Sequence, residues 1–213
     1  MDCQWFKTQH CHSCELLGYN YEETLLLKEK KLRDLFLNSS TSGTATDLKL
    51  KKTKALDSAD ASKSRNKAKV AVFSNGVGEI EFGFYDSAGR SKKLESCPLH
   101  MPGINELFST LKDKFKEYNI VPYSLLEKRG EIKYVIISKS ESTEQILLRF
   151  ILRSKESLDR LKKMTIFLQD LHPKIEVITA NIQSEHKAIL EGNEEIVLTP
   201  NKWIEHRFGD LSG

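Results

Sequence analysis

Cys3, Cys11, Cys14 and Cys97 are the residues of this 213-residue chain whose type and spacing most directly imply chemistry. Cys11-His-Ser-Cys14 puts two thiolates close enough to share one metal, Cys3 lies just upstream, and Cys97, followed by Pro98, is supplied from far along the chain. Four thiolates suit either tetrahedral zinc or an iron-sulfur cluster. A zinc ribbon normally uses two close pairs. Three ligands together and one remote, with a Cys-Pro last, is closer to ferredoxin-type ligation, although the spacings differ. Spacing alone favours neither metal, and unrelated thiols are the third reading. His10 and His12 read as exposed polar neighbours, because four thiolates already complete a site.

The N-terminus carries no apolar run of signal-peptide length, and no stretch approaches the ~20 apolar residues of a membrane helix. A soluble, cytoplasmic protein is expected, and in a reducing compartment metal ligation is a better use of four cysteines than two disulfides.

The net charge of +3 is unevenly spread: between Lys49 and Lys69 eight Lys or Arg face two Asp, a local +6 that leaves −3 for the rest. Concentrated basic charge suits a polyanion such as nucleic acid. Arg65, Lys67 and Lys69 alternate with Asn66 and Ala68, so on an extended segment their side chains share one face and can follow a phosphate backbone. Lys128, Arg129 and Lys133 form a second cluster, and Arg149 and Arg153 a third. For the arginines, ion pairing with acids such as Glu131 and Glu144 competes with RNA contact. Tyr134 and Phe150 have the chemistry to stack on unpaired bases, but their place inside expected strands favours the core. Gly76-Val-Gly78 has no helix after it and reads as a hairpin turn, not a phosphate cradle. His172 and His186 read as structural.

Three regions must position these groups. Residues 1–37 form a cysteine-rich segment and a helix from about Glu22 to Phe36. Residues 38–64 form a flexible linker in which nineteen of 27 residues are Ser, Thr, Ala or Lys, too little apolar surface to offset the entropy of ordering them. Residues 65–213 form the ordered domain that supplies Cys97. Within it, strands are expected over 69–73 and 79–85, joined through Asn75-Gly76, and again over 132–138, 145–152, 176–182 and 196–198. Ile104, Leu107, Phe108, Leu111, Phe115 and Tyr118 share one helical face, and a second helix runs over 155–171, where Pro173 helps stop it. Hairpins interleaved with helices predict an α+β fold, a mostly antiparallel sheet with helices on one face.

Several segments resemble one family in order: Cys3 with Cys11-His-Ser-Cys14, Arg65-Asn-Lys-Ala-Lys69, Cys97-Pro-Leu99, Lys128-Arg-Gly-Glu-Ile-Lys-Tyr134, Leu148-Arg-Phe-Ile-Leu-Arg-Ser154, Val177-Ile-Thr-Ala-Asn-Ile-Gln183, His186 to Gly192, and Arg207-Phe208. The chain resembles the RNA uracil-C5 methyltransferases, in the branch that acts on 23S ribosomal RNA and lacks an N-terminal RNA-binding barrel. The resemblance covers almost everything except residues 38–64. It departs at Ser64, where the family often has an aromatic residue. It implies that the four cysteines bind a 4Fe-4S cluster, and because four thiolates leave such a cluster no open coordination site, a structural role is expected for it. It further implies that the Rossmann-like S-adenosylmethionine domain, with the catalytic cysteine, lies beyond Gly213. The chain is then expected to be a monomeric RNA-recognition and cluster part, inactive alone, with 23S ribosomal RNA as partner and neither membrane nor DNA. It would hold no catalytic or cofactor-binding residue of its own. The alternative is a stand-alone metal-binding RNA module.

Overall fold

The computed structural model describes residues 2–39, 62–94, 96–186, 190–208 and 211–212. The chain divides into two compact units, Met1–Ser62 and Lys63–Gly213. Most of the expected linker, residues 40–61, lies outside the described residues.

In the first unit, α1 (Gln4–Lys7) is a single turn that begins at Cys3, and α2 (Tyr21–Ser39) is the long helix foreseen from its apolar spacing. Asn20 fixes where α2 begins: its Oδ1 accepts the Glu23 amide at 2.9 Å while the Glu23 carboxylate accepts the Asn20 amide at 3.2 Å. This reciprocal pair satisfies two backbone donors that the first helical turn leaves open.

The second unit is built on one seven-stranded sheet. Its elements are β1 (Lys67–Ser74), β2 (Ile80–Tyr85), β3 (Ser91–Lys93), α3 (Ile104–Glu117), β4 (Ile132–Lys139), β5 (Ile146–Leu152), α4 (Leu158–Leu171), β6 (Ile175–Ile182) and β7 (Glu194–Val197). The spatial order is β3-β2-β1-β4-β5-β6-β7. A further pair, β8 (Arg207–Phe208) and β9 (Leu211–Ser212), forms a separate two-stranded ladder. Asn75 makes the β1–β2 turn: its Oδ1 accepts the amides of Val77 and Glu79 at 3.1 and 2.9 Å, and Gly78 takes the left-handed φ of 81°. Gly76-Val-Gly78 is therefore a hairpin turn.

The expectation of a mostly antiparallel sheet is corrected to a mixed one, in which five of the six ladders are antiparallel and one is parallel. β5 and β6 pair in parallel from Ile146–Ile175 to Leu152–Ile182. The 14-residue helix α4 between them carries the chain back to the end where β5 began, a connection that parallel pairing requires and a hairpin cannot make. The Val/Ile/Leu-rich runs of β4, β5 and β6 fit strands covered on both faces.

Both helices lie on one face. Ile104, Leu107, Leu111 and Phe115 of α3 and Leu161, Met164 and Leu168 of α4 share one cluster with Val70, Val72, Val135, Ile137, Leu148 and Phe150 of the sheet. Phe115 meets Phe150 edge-on at 5.8 Å, which places a specific aromatic contact at the centre of the core. The alternate residues of the same strands, Lys69, Tyr134 and Arg149 among them, point to the opposite face.

Candidate functional site

In the first unit the backbone folds tightly around the cysteine segment. The amides of His10 and Cys11 both donate to the Trp5 carbonyl, at 2.9 and 3.1 Å, and Leu17 donates to the Cys14 carbonyl at 3.0 Å. Cys11 Sγ lies 3.5 Å from Ser13 Oγ, and the His10 ring packs 5.1 Å from Trp5. In the second unit Asn105, on the first turn of α3, holds Cys97: its Oδ1 accepts the Cys97 amide at 3.3 Å and its Nδ2 donates to the Cys97 carbonyl at 3.2 Å. The same Oδ1 lies 2.9 Å from His100 Nδ1. His100 is held below its ordinary pKa chiefly by burial, against the raising effect of Asn105.

All four cysteines are half-buried. The donor set has the chemistry of a four-thiolate site, yet among the described residues no three His, Cys, Asp or Glu side chains gather closely enough to share a metal ion.

The sheet face opposite the helices carries Lys69, Tyr134 and Arg149 of the remaining candidates. Register aligns Lys69 with Ile136, Ile136 with Arg149, and Arg149 with Thr179, so Lys69 and Arg149 flank Ile136 on that face. Arg65, Lys67 and Lys69 are exposed while Ala68 is buried, the alternation expected of this stretch. Asn66 is exposed as well, and its carbonyl accepts the Lys139 amide at 2.8 Å. Lys128 and Arg129 are exposed on a loop in which Lys128 takes a φ of 55°.

The other cations are engaged. Arg149 pairs with Glu191 at 2.7 Å and Glu195 at 2.8 Å. Arg153 pairs with Glu131 at 2.8 Å, as the ion-pair reading of the arginines anticipated, and its Nε also donates to the Gly130 carbonyl at 3.0 Å. Glu144 pairs instead with Lys139, at 3.3 Å. Lys133 is buried at 7% exposure, where its ammonium donates to the carbonyls of Gln183 and Glu185 at 2.7 and 2.8 Å and to the Gln183 side chain. It also sits 4.8 Å from the centre of the Tyr123 ring. Three acceptors satisfy all three ammonium donors, so Lys133 ties the 183–185 segment to β4.

The two aromatics considered for base stacking separate cleanly. Phe150 is fully buried under α3. Tyr134, on the opposite face, is half-buried and lines a cavity of about 500 Å³ with Tyr85, Asp86, Tyr123, Leu125, Lys133 and His186 among its walls. Burial, reinforced by the neighbouring Tyr134, pushes the Tyr85 hydroxyl up to about 12. Burial likewise raises Tyr134. Sequence reasoning missed this cavity because its walls come from the β2–β3 turn, the loop before β4 and the segment after β6. His186, read as structural, lies with its Nδ1 3.0 Å from the Tyr123 hydroxyl. His172 Nε2 lies 3.3 Å from Thr110 Oγ1 and links the end of α4 to α3, a structural role.

No family model matches the chain. Among curated proteins it is 33% identical over 211 residues, 99% of its length, to the 23S rRNA (uracil(747)-C(5))-methyltransferase of Xenorhabdus bovienii. It is also 33% identical over 211 residues to the protein of that name from Vibrio cholerae. It spans about half the length of these relatives, 53% and 54%. Among solved structures it is similar to a Pyrococcus abyssi tRNA (uracil-54, C5)-methyltransferase in complex with S-adenosyl-L-homocysteine. That match has a TM-score of 0.69 at 17% identity, covering 94% of this chain and 44% of the other.

These matches correct two further expectations. The fold of nearly the whole chain, its mixed seven-stranded sheet included, is found within a methyltransferase, so the description of a chain from which the methyltransferase fold is absent does not stand. Nor does the description of an inactive RNA-recognition and cluster piece, since the likeness is to the enzymes themselves over 99% of the chain. By sequence, the chain is similar along almost all of its length to curated 23S rRNA (uracil(747)-C(5))-methyltransferases.

Proposed function

We propose that the chain serves S-adenosylmethionine-dependent methylation of uracil C5 in RNA, with 23S ribosomal RNA as substrate. The observation that carries this reading is 33% identity over 99% of the chain to a curated enzyme of that activity. The cofactor reading is supported by the S-adenosyl-L-homocysteine complex of the structural neighbour. S-adenosylmethionine, when bound, supplies the methyl group.

What this chain's own residues do is grip the substrate. Arg65, Lys67 and Lys69 stand exposed along one short stretch of chain leading into β1, where each can meet a phosphate and so fix the register of the RNA. Lys128 and Arg129 add a second exposed basic point. A uracil stacked within a helix is out of reach of an enzyme's active site and must be extruded, and a firm hold on the flanking phosphates helps to offset the cost of unstacking it. Arg149 and Arg153 can join that grip only by giving up carboxylate partners.

The four cysteines remain the chain's candidate ligands for a 4Fe-4S cluster, supported by the chemistry of the donor set and by the family resemblance. The reading as a whole is tested by assaying 5-methyluridine formation by the complete protein that contains this chain.

A further inference from the structure

The cavity beside Tyr134 has the build of a site for a flat aromatic ring, and nothing in the grip described above uses it. Its volume, about 500 Å³, is within the range of small-ligand clefts. Three tyrosines contribute to its walls. Tyr123 is only 5% exposed and is locked by the His186 hydrogen bond and the Lys133 ammonium. Tyr85 and Tyr134 are half-buried, with rings accessible to the cavity. Tyrosine faces stack on any base, and a hydroxyl held protonated donates to the carbonyl oxygens or ring nitrogens of a base.

The rim supplies a second, independent observation. Ser124 closes a short loop: its amide donates to the Arg129 carbonyl at 2.7 Å, its carbonyl accepts the Lys128 amide at 2.9 Å, and its Oγ accepts the Glu127 amide at 3.2 Å. Gly130 fixes the loop's exit at a φ of 93°, with its Cβ position 2.1 Å from the Pro122 carbonyl oxygen, so no other residue fits. This rigid loop presents Leu126 at 95% exposure next to Leu125, a cavity residue at 41%, and follows them directly with Lys128 and Arg129. An exposed apolar tip flanked by cations is the form of a wedge that enters a base step while the cations hold the backbone.

We propose that this cavity takes an unstacked nucleobase of RNA, with Leu125 and Leu126 occupying the place the base leaves. The proposal rests on the reading of the chain as acting on RNA. A nucleobase ring also occurs in the adenosine of S-adenosylmethionine, but the basic rim favours a polynucleotide, which brings phosphates to Lys128 and Arg129.

The test is photo-cross-linking of the chain to an RNA hairpin whose loop carries 4-thiouridine, with S-adenosylhomocysteine as competitor. Cross-links are expected in the peptides holding Tyr85 or residues 123–134, undiminished by the competitor. Tyr85→Leu should weaken hairpin binding about tenfold, the scale of one lost base–tyrosine stack. Leu126→Ser, on a residue too exposed to affect folding, should lower cross-link yield about threefold or more if the wedge assists unstacking. Cross-links confined to other peptides overturn the proposal, as does unchanged affinity in a folded Tyr85→Leu chain. Loss of the cross-link to S-adenosylhomocysteine assigns the cavity to the cofactor's adenosine and overturns the RNA assignment. If Tyr85→Leu does not fold, the cross-link map and Leu126→Ser decide. Cross-linking here without 5-methyluridine formation by the complete protein keeps the site and removes the enzymatic reading; methylation without cross-linking here removes only the site.

Discussion

Arg153 grips a single carboxylate oxygen of Glu131 with two nitrogens, Nη2 at 2.8 Å and Nε at 3.1 Å, while Ser154 Oγ donates to the other oxygen at 2.8 Å. The Glu131 side chain is 4% exposed and that of Arg153 36%, so the acid is the member that depends on the pair. Breaking a buried pair by deleting one partner costs ~3–5 kcal/mol, and a partner that can rehydrate lowers that cost. Glu131→Ala is expected to lose about 2–3 kcal/mol in urea denaturation. A loss under ~0.5 kcal/mol would mark the pair as an ordinary surface contact.

Tyr85 links the cavity to pH. A tyrosine in the unfolded chain titrates near ~10, and burial raises the folded value to about 12. The folded state therefore keeps its proton where the unfolded state sheds it. The Tyr85 contribution is complete below the unfolded value and is lost as pH rises through the folded value. Near pH 12 the chain should have lost about 1–2 kcal/mol more than its Tyr85→Phe variant, after allowance for partial hydration. Ultraviolet phenolate titration of the two chains checks this: a Tyr85 transition near the unfolded value would contradict it.

Arg65, Lys67 and Lys69 make a quantitative claim about salt. If each neutralises one phosphate of a single strand, replacing all three with Gln should weaken RNA binding and reduce the slope of log K against log salt by about 2, at roughly 0.7 per contact. An unchanged slope would remove them as phosphate contacts.

The cysteines carry a compositional prediction. Anaerobically purified protein should contain iron and sulfide in cluster proportion, and Cys97→Ser should lower both without a compensating gain in zinc. A colourless protein with one zinc per chain would remove the cluster reading.

How far the sequence reveals the protein depends on the range of the interactions involved. α3 and the β1–β2 hairpin were legible because Leu107, Leu111 and Phe115 repeat at helical spacing and Asn75-Gly76 encodes its own turn. The parallel partnership of β5 and β6 was not, because periodicity reports which residues are buried but not which way a neighbouring strand runs. β3, three residues long, offers no window in which a period could show. The exposure of Lys67 and Lys69 follows from alternation around Ala68. The burial of Lys133 does not, since its three acceptors lie 50 and 52 residues away. Tyr134 and Phe150 looked equivalent as strand aromatics, and only pairing of Tyr134 with Ile151 assigns them to opposite faces.

The central claim is methylation of uracil C5 in RNA, and one assay addresses it most directly. The complete protein that contains this chain is incubated with S-adenosylmethionine labelled in its methyl group and a 23S ribosomal RNA transcript, and the digested RNA is separated into nucleosides. The account predicts label in 5-methyluridine, suppressed when excess S-adenosylhomocysteine competes with the labelled S-adenosylmethionine. Label in another nucleoside, or none in RNA from a folded, cofactor-bound protein, would contradict it.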